Sequence, residues 1–137
     1  MRAAVKALPP GRHPVRALAA WGRLPPLYHR WAMGPGGEWY LLAVEGRSVL
    51  GYAALRGREL TAAFVRPGAQ GRGVGRALVG EAARRARRVG YRQLRVVAAG
   101  GASGFYAALG FCRRGRTRVP LPGGPALEAT NMVLPLP

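Results

Sequence analysis

The stretch VRPGAQGRGVG, residues 65–75, decides the fold predicted for this chain. It follows an apolar run at 60–65 that is typical of a strand, and it precedes a segment at 76–89 with helical spacing. Glycine at a strand-to-helix turn lets the backbone adopt positive φ and approach a ligand closely. The first amides of a helix lack intrahelical partners and carry the positive end of the helix dipole. The turn is therefore predicted to bind a phosphate or pyrophosphate.

Two common phosphate-binding motifs do not fit the spacing of this turn. A P-loop needs Lys and then Ser or Thr after its last glycine, whereas Gly75 is followed by Arg76 and Ala77. The dinucleotide pattern GxGxxG fails because Arg76 occupies the position of its third glycine. The chain holds 21 glycines, so a glycine-rich turn that binds no ligand stays open as the alternative reading.

Two segments of the chain together point to one family. Gln70-Gly71-Arg72-Gly73-Val74-Gly75 is similar to the Gln/Arg-x-x-Gly-x-Gly/Ala motif that binds the pyrophosphate of acetyl-CoA in the GNAT superfamily of N-acetyltransferases. Downstream, the segment 105–111, FYAALGF, resembles the Phe-Tyr-x-x-x-Gly-Phe motif of the same family, whose tyrosine faces the thioester. The resemblance covers roughly residues 39–134, and the first 38 residues match only loosely.

The resemblance implies an α/β fold with a mixed sheet: antiparallel strands feed a βαβ unit, and a C-terminal hairpin closes the sheet. It also implies transfer of an acetyl group from acetyl-CoA to a primary amine, without a metal. The amine belongs to a small molecule or a peptide. The cofactor-binding residues implied are Phe64, Val65, Gln70, Gly71, Arg72, Gly73, Val74, Gly75, Arg76, Ser103 and Tyr106.

Acetyl transfer from a thioester to an amine needs a proton acceptor, a partner for the oxyanion and a proton donor for the leaving thiolate. By motif position Tyr106 is the candidate acid, with a core tyrosine as the alternative. Glu59 is the candidate base; family members that use a strand glutamate place it at a similar distance from the turn, but Glu59 also fits the surface of a hairpin. A backbone N–H near Phe64 or Val65 is expected to meet the oxyanion.

One position departs from the family pattern. Many members place Asn seven residues before the tyrosine, where it touches the cofactor, but this chain has Ala99 there, followed by Gly100 and Gly101. Backbone amides are the substitutes available at that point. A cluster of arginines around the site predicts that polycationic acceptors are disfavoured and that acidic acceptors are tolerated.

The composition sets wider limits. The chain has 137 residues and a net charge of +17, with Lys6 as its single lysine and no aspartate, so arginine dominates the charge. Such a charge favours an acidic partner, and a basic nucleic-acid-binding module without catalysis is kept as the alternative function; compositional bias explains the charge equally well. The single cysteine, Cys112, excludes an internal disulfide and is expected to be buried. We expect one domain that spans 1–137, is monomeric or homodimeric, and is cytoplasmic without a membrane segment.

Periodicity and turn residues predict the order of elements. Strands are expected at 3–8, 38–44, Ser48–Arg56, Glu59–Val65 and 93–98, and helices at 14–21, 27–33, 75–89 and 103–109. The segments 111–119 and 127–134 are expected to form the closing antiparallel pair. Five aromatic or imidazole side chains precede or begin the second strand and either line the acceptor site or belong to the core: Trp21, Tyr28, His29, Trp31 and Trp39.

Overall fold

The structure is a computed structural model, and it describes residues 4–8, 39–46, 48–120 and 123–137. The helices predicted at 14–21 and 27–33 lie outside the described residues. So do four of the five ring-bearing side chains singled out above, all except Trp39. No helix within the described ranges is long and apolar enough to cross a membrane.

The described residues form strands, two α-helices and two 3-10 turns. The helices are α1 at Val74–Val89 and α2 at Ser103–Ala108, and the 3-10 turns are Pro67–Ala69 and Gly100–Ala102. Helix α1 begins one residue earlier than predicted, because Gly73 at φ 80 caps it from the left-handed region. The strands are β1 Ala4–Leu8, β2 Trp39–Glu45, β3 Ser48–Arg56, β4 Glu59–Val65, β5 Gln93–Ala99, β6 Cys112–Val119 and β7 Leu127–Pro135.

The seven described strands form one mixed sheet in the order β1-β2-β3-β4-β5-β7-β6. The first four strands pair antiparallel in sequence order, and β4 and β5 are parallel neighbours joined by α1. The predicted antiparallel strands, βαβ unit and closing antiparallel pair are thus confirmed. The last strand, β7, lies between β5 and β6 and pairs antiparallel with both.

The pairing of β4 with β5 ends after two residues on each strand. Only Glu59 with Arg95 and Leu60 with Val96 are in register, so the two strands are unpaired toward their carboxyl ends. The β3–β4 ladder shifts register at the same level, where Leu60 pairs with Leu55 and Ala62 with Ala54, leaving Thr61 as the extra residue. The Thr61 hydroxyl donates to the carbonyl oxygen of Ala54 at 3.2 Å. Because a bulge bends its strand, β4 turns away from β5 beyond this point.

Hydrophobic residues are buried on both faces of the sheet. Helix α1 packs against one face with its apolar stripe, which includes Leu78, Val79, Ala82 and Ala86. On the other face an aromatic row crosses three strands, with ring centroids 6.5 Å apart for Tyr40–Tyr52 and 6.1 Å apart for Tyr52–Phe64. Each face thus holds its own buried cluster.

The expectation that Cys112 is buried is wrong. Phe111 is 4% exposed and fills the core, whereas Cys112 is exposed. Cys112 begins β6, an edge strand whose first five residues are all exposed, so neither face of the strand is covered at this point.

Candidate active site

The glycine-rich turn after β4 has the backbone geometry that its sequence predicts. Gly71 and Gly73 adopt φ of 78° and 80°, a region that non-glycine residues rarely enter. A Cβ built on either residue would have no atom within 4 Å, so the space beside the turn is open. The Gln70 side-chain amide donates to the carbonyl oxygen of Val65 at 3.3 Å and thereby ties the turn to the end of β4.

The turn leads directly into the amino end of α1. The amide of Ala77 donates to the carbonyl oxygen of Gly73 at 3.0 Å, which closes the first turn of the helix. The N–H groups of Val74, Gly75 and Arg76 precede this bond and belong to the amides that a helix leaves without intrahelical acceptors. This end of the helix carries positive potential, and no acidic residue lies in its first turn to neutralise it.

A cleft of about 520 Å³, here called the turn cleft, lies beside this amino end. Helix α2 supplies its other wall through Phe105 and Tyr106, and the end of β4 supplies its floor. The turn residues that line it are Gln70, Gly71, Gly73, Val74, Gly75 and Arg76.

A second cleft of about 530 Å³, here called the strand cleft, lies where β4 and β5 part. Its walls are residues of the two strands, since unpaired strand edges leave room between them. The residues that line it include Arg56, Glu59, Thr61, Ala63, Val96, Ala98, Ala99 and Tyr106.

Tyr106 lies where the two clefts adjoin. The turn cleft and the strand cleft share Ala63, Ala102 and Tyr106 as lining residues. The tyrosine is 7% exposed, and its ring makes edge contacts with Phe105 at 5.1 Å and with Phe111 at 5.3 Å between centroids. These contacts fix the ring, so the side chain is both a core residue and a wall of both clefts.

Glu59 lies at the amino end of β4 and lines the strand cleft but not the turn cleft. It has an arginine as register partner on each side, Arg56 on β3 and Arg95 on β5. Its carboxylate lies 3.9 Å from a guanidinium nitrogen of Arg95, and its side chain is 56% exposed. The structure thus brings Glu59 and Tyr106 to one cleft.

The remaining predicted residues are distributed around these clefts. Arg72 forms an ion pair of 2.6 Å with Glu45 and does not line the turn cleft, in contrast to Arg76. Ser103 begins α2 and lines neither cleft. Ala99, at the position of the family's asparagine, ends β5 and lines the strand cleft, and Gly100 follows it at φ 58°.

Trp39 lies away from both clefts. Its ring is stacked under the guanidinium of Arg85, 4.5 Å from the ring centroid, beside the carboxyl-terminal half of α1. Arg85 and Arg84 also pair with Glu81 one turn earlier. Trp39 was expected either to line the acceptor site or to belong to the core, and its position fits packing against the core.

Two features of the site were not predicted from the sequence. Phe105 lies against Gly75, where a Cβ would come within 2.9 Å of the ring, so α2 and the turn are in direct contact. A cavity of about 490 Å³ beside the strand cleft is lined by Arg116, Arg118 and Glu128 from the closing hairpin. The alternation of arginine on β6 was a signal for the cavity of the closing hairpin. No sequence pattern indicated the contact between Phe105 and Gly75.

Comparison with known proteins identifies the family. An acetyltransferase (GNAT) domain model matches residues 26–120, whereas comparison with curated proteins finds no significant match. A solved GCN5-related N-acetyltransferase from Rhodopseudomonas palustris is 22% identical, with a TM-score of 0.76 over 99% of this chain and 97% of that chain. A ribosomal-protein-alanine N-acetyltransferase from Brucella melitensis is 26% identical, with a TM-score of 0.61 over 72% of this chain and 69% of that chain.

A third solved structure was determined with the cofactor bound. It is a GNAT superfamily phosphinothricin acetyltransferase from Sinorhizobium meliloti in complex with acetyl-CoA, 23% identical, with a TM-score of 0.66 over 99% of this chain and 89% of that chain. The TM-scores show that these structures share the fold of this chain. The domain match covers more than half of the sequence, and the chain therefore belongs to the GNAT acetyltransferase family.

Proposed function

We propose that this protein transfers the acetyl group of acetyl-CoA to a primary amine. The observation that carries the proposal is the position of Tyr106 at the junction of the turn cleft and the strand cleft. One cleft offers an anion-binding turn and the other offers access to a carboxylate. A cofactor in the first and an amine in the second would place their reacting atoms beside the same hydroxyl group.

The residues of the turn cleft fit a pyrophosphate. The positive φ values of Gly71 and Gly73 and the open space beside them leave the backbone accessible, and the amino end of α1 supplies N–H donors and positive potential. Arg76 adds a positive charge at the same end. Arg72, which pairs with Glu45, and Ser103, at the start of α2, are assigned smaller contributions to cofactor binding. When bound, acetyl-CoA supplies an acyl group activated as a thioester.

The residues at the junction perform the proton transfers. In the net reaction the ammonium nitrogen loses one proton, forms a bond to the acetyl carbon and then loses a second proton as the carbon–sulfur bond breaks, and the thiolate gains one proton. Tyr106 donates the proton to the thiolate, since the phenol hydroxyl is a hydrogen-bond and proton donor. A backbone N–H at the end of β4, near Phe64 or Val65, faces the negative charge that develops on the acetyl oxygen.

Glu59 accepts the proton that the ammonium group loses before attack, either directly or through water, and releases it to solvent. The second proton, which nitrogen loses after attack, replaces the one that Tyr106 gives to the thiolate. An alkyl amine is almost entirely protonated at pH 7, so removal of its proton precedes attack. Arg56 on β3 and Arg95 on β5 flank the glutamate as its register partners. Water-mediated transfer suits a carboxylate at the start of β4, several residues from the end of the strand.

The test is release of free thiol from acetyl-CoA in the presence of a panel of primary amines, with mass spectrometry of the acetylated product. The proposal predicts thiol release that depends on both amine and enzyme and is abolished by Gly73→Glu. Thiol release at the same rate with and without amine would show a hydrolase, and no release with any amine would contradict the proposal.

A further inference from the structure

The cavity formed by the closing hairpin is next to the strand cleft at two points of the chain. Its lining residue Gly100 follows Ala99 of the strand cleft, and its lining residue Arg118 precedes Val119 of the strand cleft. An acceptor bound in the strand cleft would have this second cavity, here called the hairpin cavity, as its neighbour. It is lined by Gly100, Arg116, Thr117, Arg118, Glu128, Ala129 and Thr130.

The hairpin cavity is lined by more positive than negative side chains. Arg116 and Arg118 are two residues apart on β6, so their side chains lie on one face of the strand. Glu128 is the register partner of Arg118, whereas the partner of Arg116 is the uncharged Thr130. Within the part of the chain that the structure describes, neither arginine forms an ion pair. Arg116 is thus a guanidinium that a ligand can reach.

The distance from the strand cleft to Arg116 suits a small bifunctional molecule. Ala98 of the strand cleft, Thr130 and Arg116 are in register across three neighbouring strands. Two strand spacings separate the outer members, which places the backbone of Arg116 about 10 Å from that of Ala98. The side chain of Arg116 fills part of this distance. A few methylene groups between an amine and an anionic group would span the rest.

From these observations we infer that the acceptor is a small primary amine that carries a carboxylate or phosphonate-type anion, held by Arg116 and Arg118. The inference rests on the proposed acetyl transfer. Guanidinium groups bind both kinds of anion through paired N–H donors, so this chemistry is shared by both classes. Arg56 and Arg95 beside Glu59 add repulsion against polycations such as spermidine.

Matched acceptors test the inference. 5-Aminopentanoate and n-pentylamine have similar chain lengths and differ in the anion, and 3-aminopropylphosphonate with n-propylamine forms the equivalent pair for the second anion class. We expect kcat/KM to be roughly 5- to 50-fold higher for the anionic member of at least one pair, and lowest for spermidine, because charge-assisted hydrogen bonds to exposed arginines are strong but screened. Raising the ionic strength should reduce the preference.

The variants Arg116→Gln and Arg118→Gln should remove most of this preference and leave kcat/KM for n-pentylamine unchanged. Arg114→Gln is the matched control, because Arg114 is exposed on the same strand and does not line the hairpin cavity. All three side chains are exposed, so unchanged melting temperatures are expected. Neutral amines acetylated as well as anionic ones, or equal losses for both in Arg116→Gln, would overturn the inference and leave the proposed function standing.

A binding measurement covers the case in which no amine of the panel is acetylated. Calorimetry of the CoA-saturated protein with 5-aminopentanoate and 3-aminopropylphosphonate should show heat for at least one of them that Arg116→Gln abolishes. No heat with either probe overturns the inference. The same titration without CoA covers a protein that does not bind the cofactor: heat from an anionic probe there, with no thiol release, would contradict the proposed function alone.

Discussion

The ring of Phe105 lies against the backbone of Gly75, so that a Cβ at this glycine would approach the ring Cζ to 2.9 Å. Gly75 is the second residue of α1, and Phe105 is on α2. The contact therefore joins the turn that is proposed to bind pyrophosphate with the helix that carries Tyr106. The family motif accepts either glycine or alanine at this position, and in this chain the neighbouring phenylalanine explains the glycine.

Alanine substitutions at two glycines of α1 should have opposite effects on stability. Gly80→Ala should raise the free energy of unfolding by about 0.5–1 kcal/mol, since the nearest atom to its Cβ is a nitrogen of the flexible Arg84 side chain at 3.9 Å. Gly75→Ala should lower it by about 1 kcal/mol, because the overlap with Phe105 outweighs the gain in helix propensity. Chemical denaturation measures both.

A double-mutant cycle tests the cause of the Gly75→Ala loss. Phe105 is 43% exposed, so Phe105→Ala should leave a folded protein. In that background Gly75→Ala should become neutral or stabilising, which gives a coupling of about 1 kcal/mol. An unchanged loss in the Phe105→Ala background would show that the ring is not responsible.

Gly51→Ala should destabilise the junction of β3 and β4. A Cβ at Gly51 would collide with the carbonyl oxygen of Phe64 and lie 3.1 Å from the Cα of Val65, and backbone atoms cannot rotate away as a side chain can. We expect a loss of about 1–3 kcal/mol in the free energy of unfolding. Gly115→Ala on β6, where nothing lies within 4 Å of the Cβ, should change stability little. Equal effects of the two substitutions would contradict this account of Gly51.

Tyr106→Phe should lower kcat by roughly 10²–10⁴-fold, the usual effect of losing a positioned acid. KM for acetyl-CoA should change little, because the hydroxyl acts mainly in the transition state. The ring contacts with Phe105 and Phe111 remain in the variant, so the fold should persist. Tyr91→Phe, beyond the far end of α1, is the control with normal kcat. Near-normal kcat in Tyr106→Phe would make Tyr106 a packing residue alone.

Glu59→Gln should lower kcat less than Tyr106→Phe does, and mainly below the pKa of the acceptor amine. At higher pH the amine loses its proton without help, so the variant should approach the wild-type rate. Stability should change by less than about 1 kcal/mol, because the ion pair with Arg95 is exposed. A pH–rate profile parallel to that of the wild type would remove Glu59 from the role of base. Glu81→Gln, on α1, serves as the control.

Local patterns in the sequence predicted most of the fold. The alternation and turn residues of β2 to β4, the helical stripe of α1 and the positive-φ glycines are signals that lie within a few residues of one another. The predictions failed or were silent where distant segments meet. Cys112 is exposed because β6 is an edge strand, and the position of β7 between β5 and β6 depends on a pairing between strands far apart in sequence.

The candidate site was predictable to a similar extent. Motif positions predicted that Tyr106 and the turn belong to one site, and the structure places both beside one cleft. The parting of β4 from β5 depends on a bulge at Thr61, for which the sequence carries no distinctive residue. The hairpin cavity arises from cross-strand neighbours such as Arg118 and Glu128, which only the register brings together.

The central claim is that the turn at Gly71–Gly73 binds the pyrophosphate of acetyl-CoA, and calorimetry with CoA tests it most directly. We predict a Kd on the order of 1–100 µM for the wild type. Gly73→Glu should abolish binding, because it places a carboxylate at a position of φ 80° beside the anion site. Gly115→Glu, with the same charge change on β6, should bind normally. No CoA binding by the wild type, together with salt-sensitive affinity for RNA or DNA, would contradict the claim and favour a basic nucleic-acid-binding module.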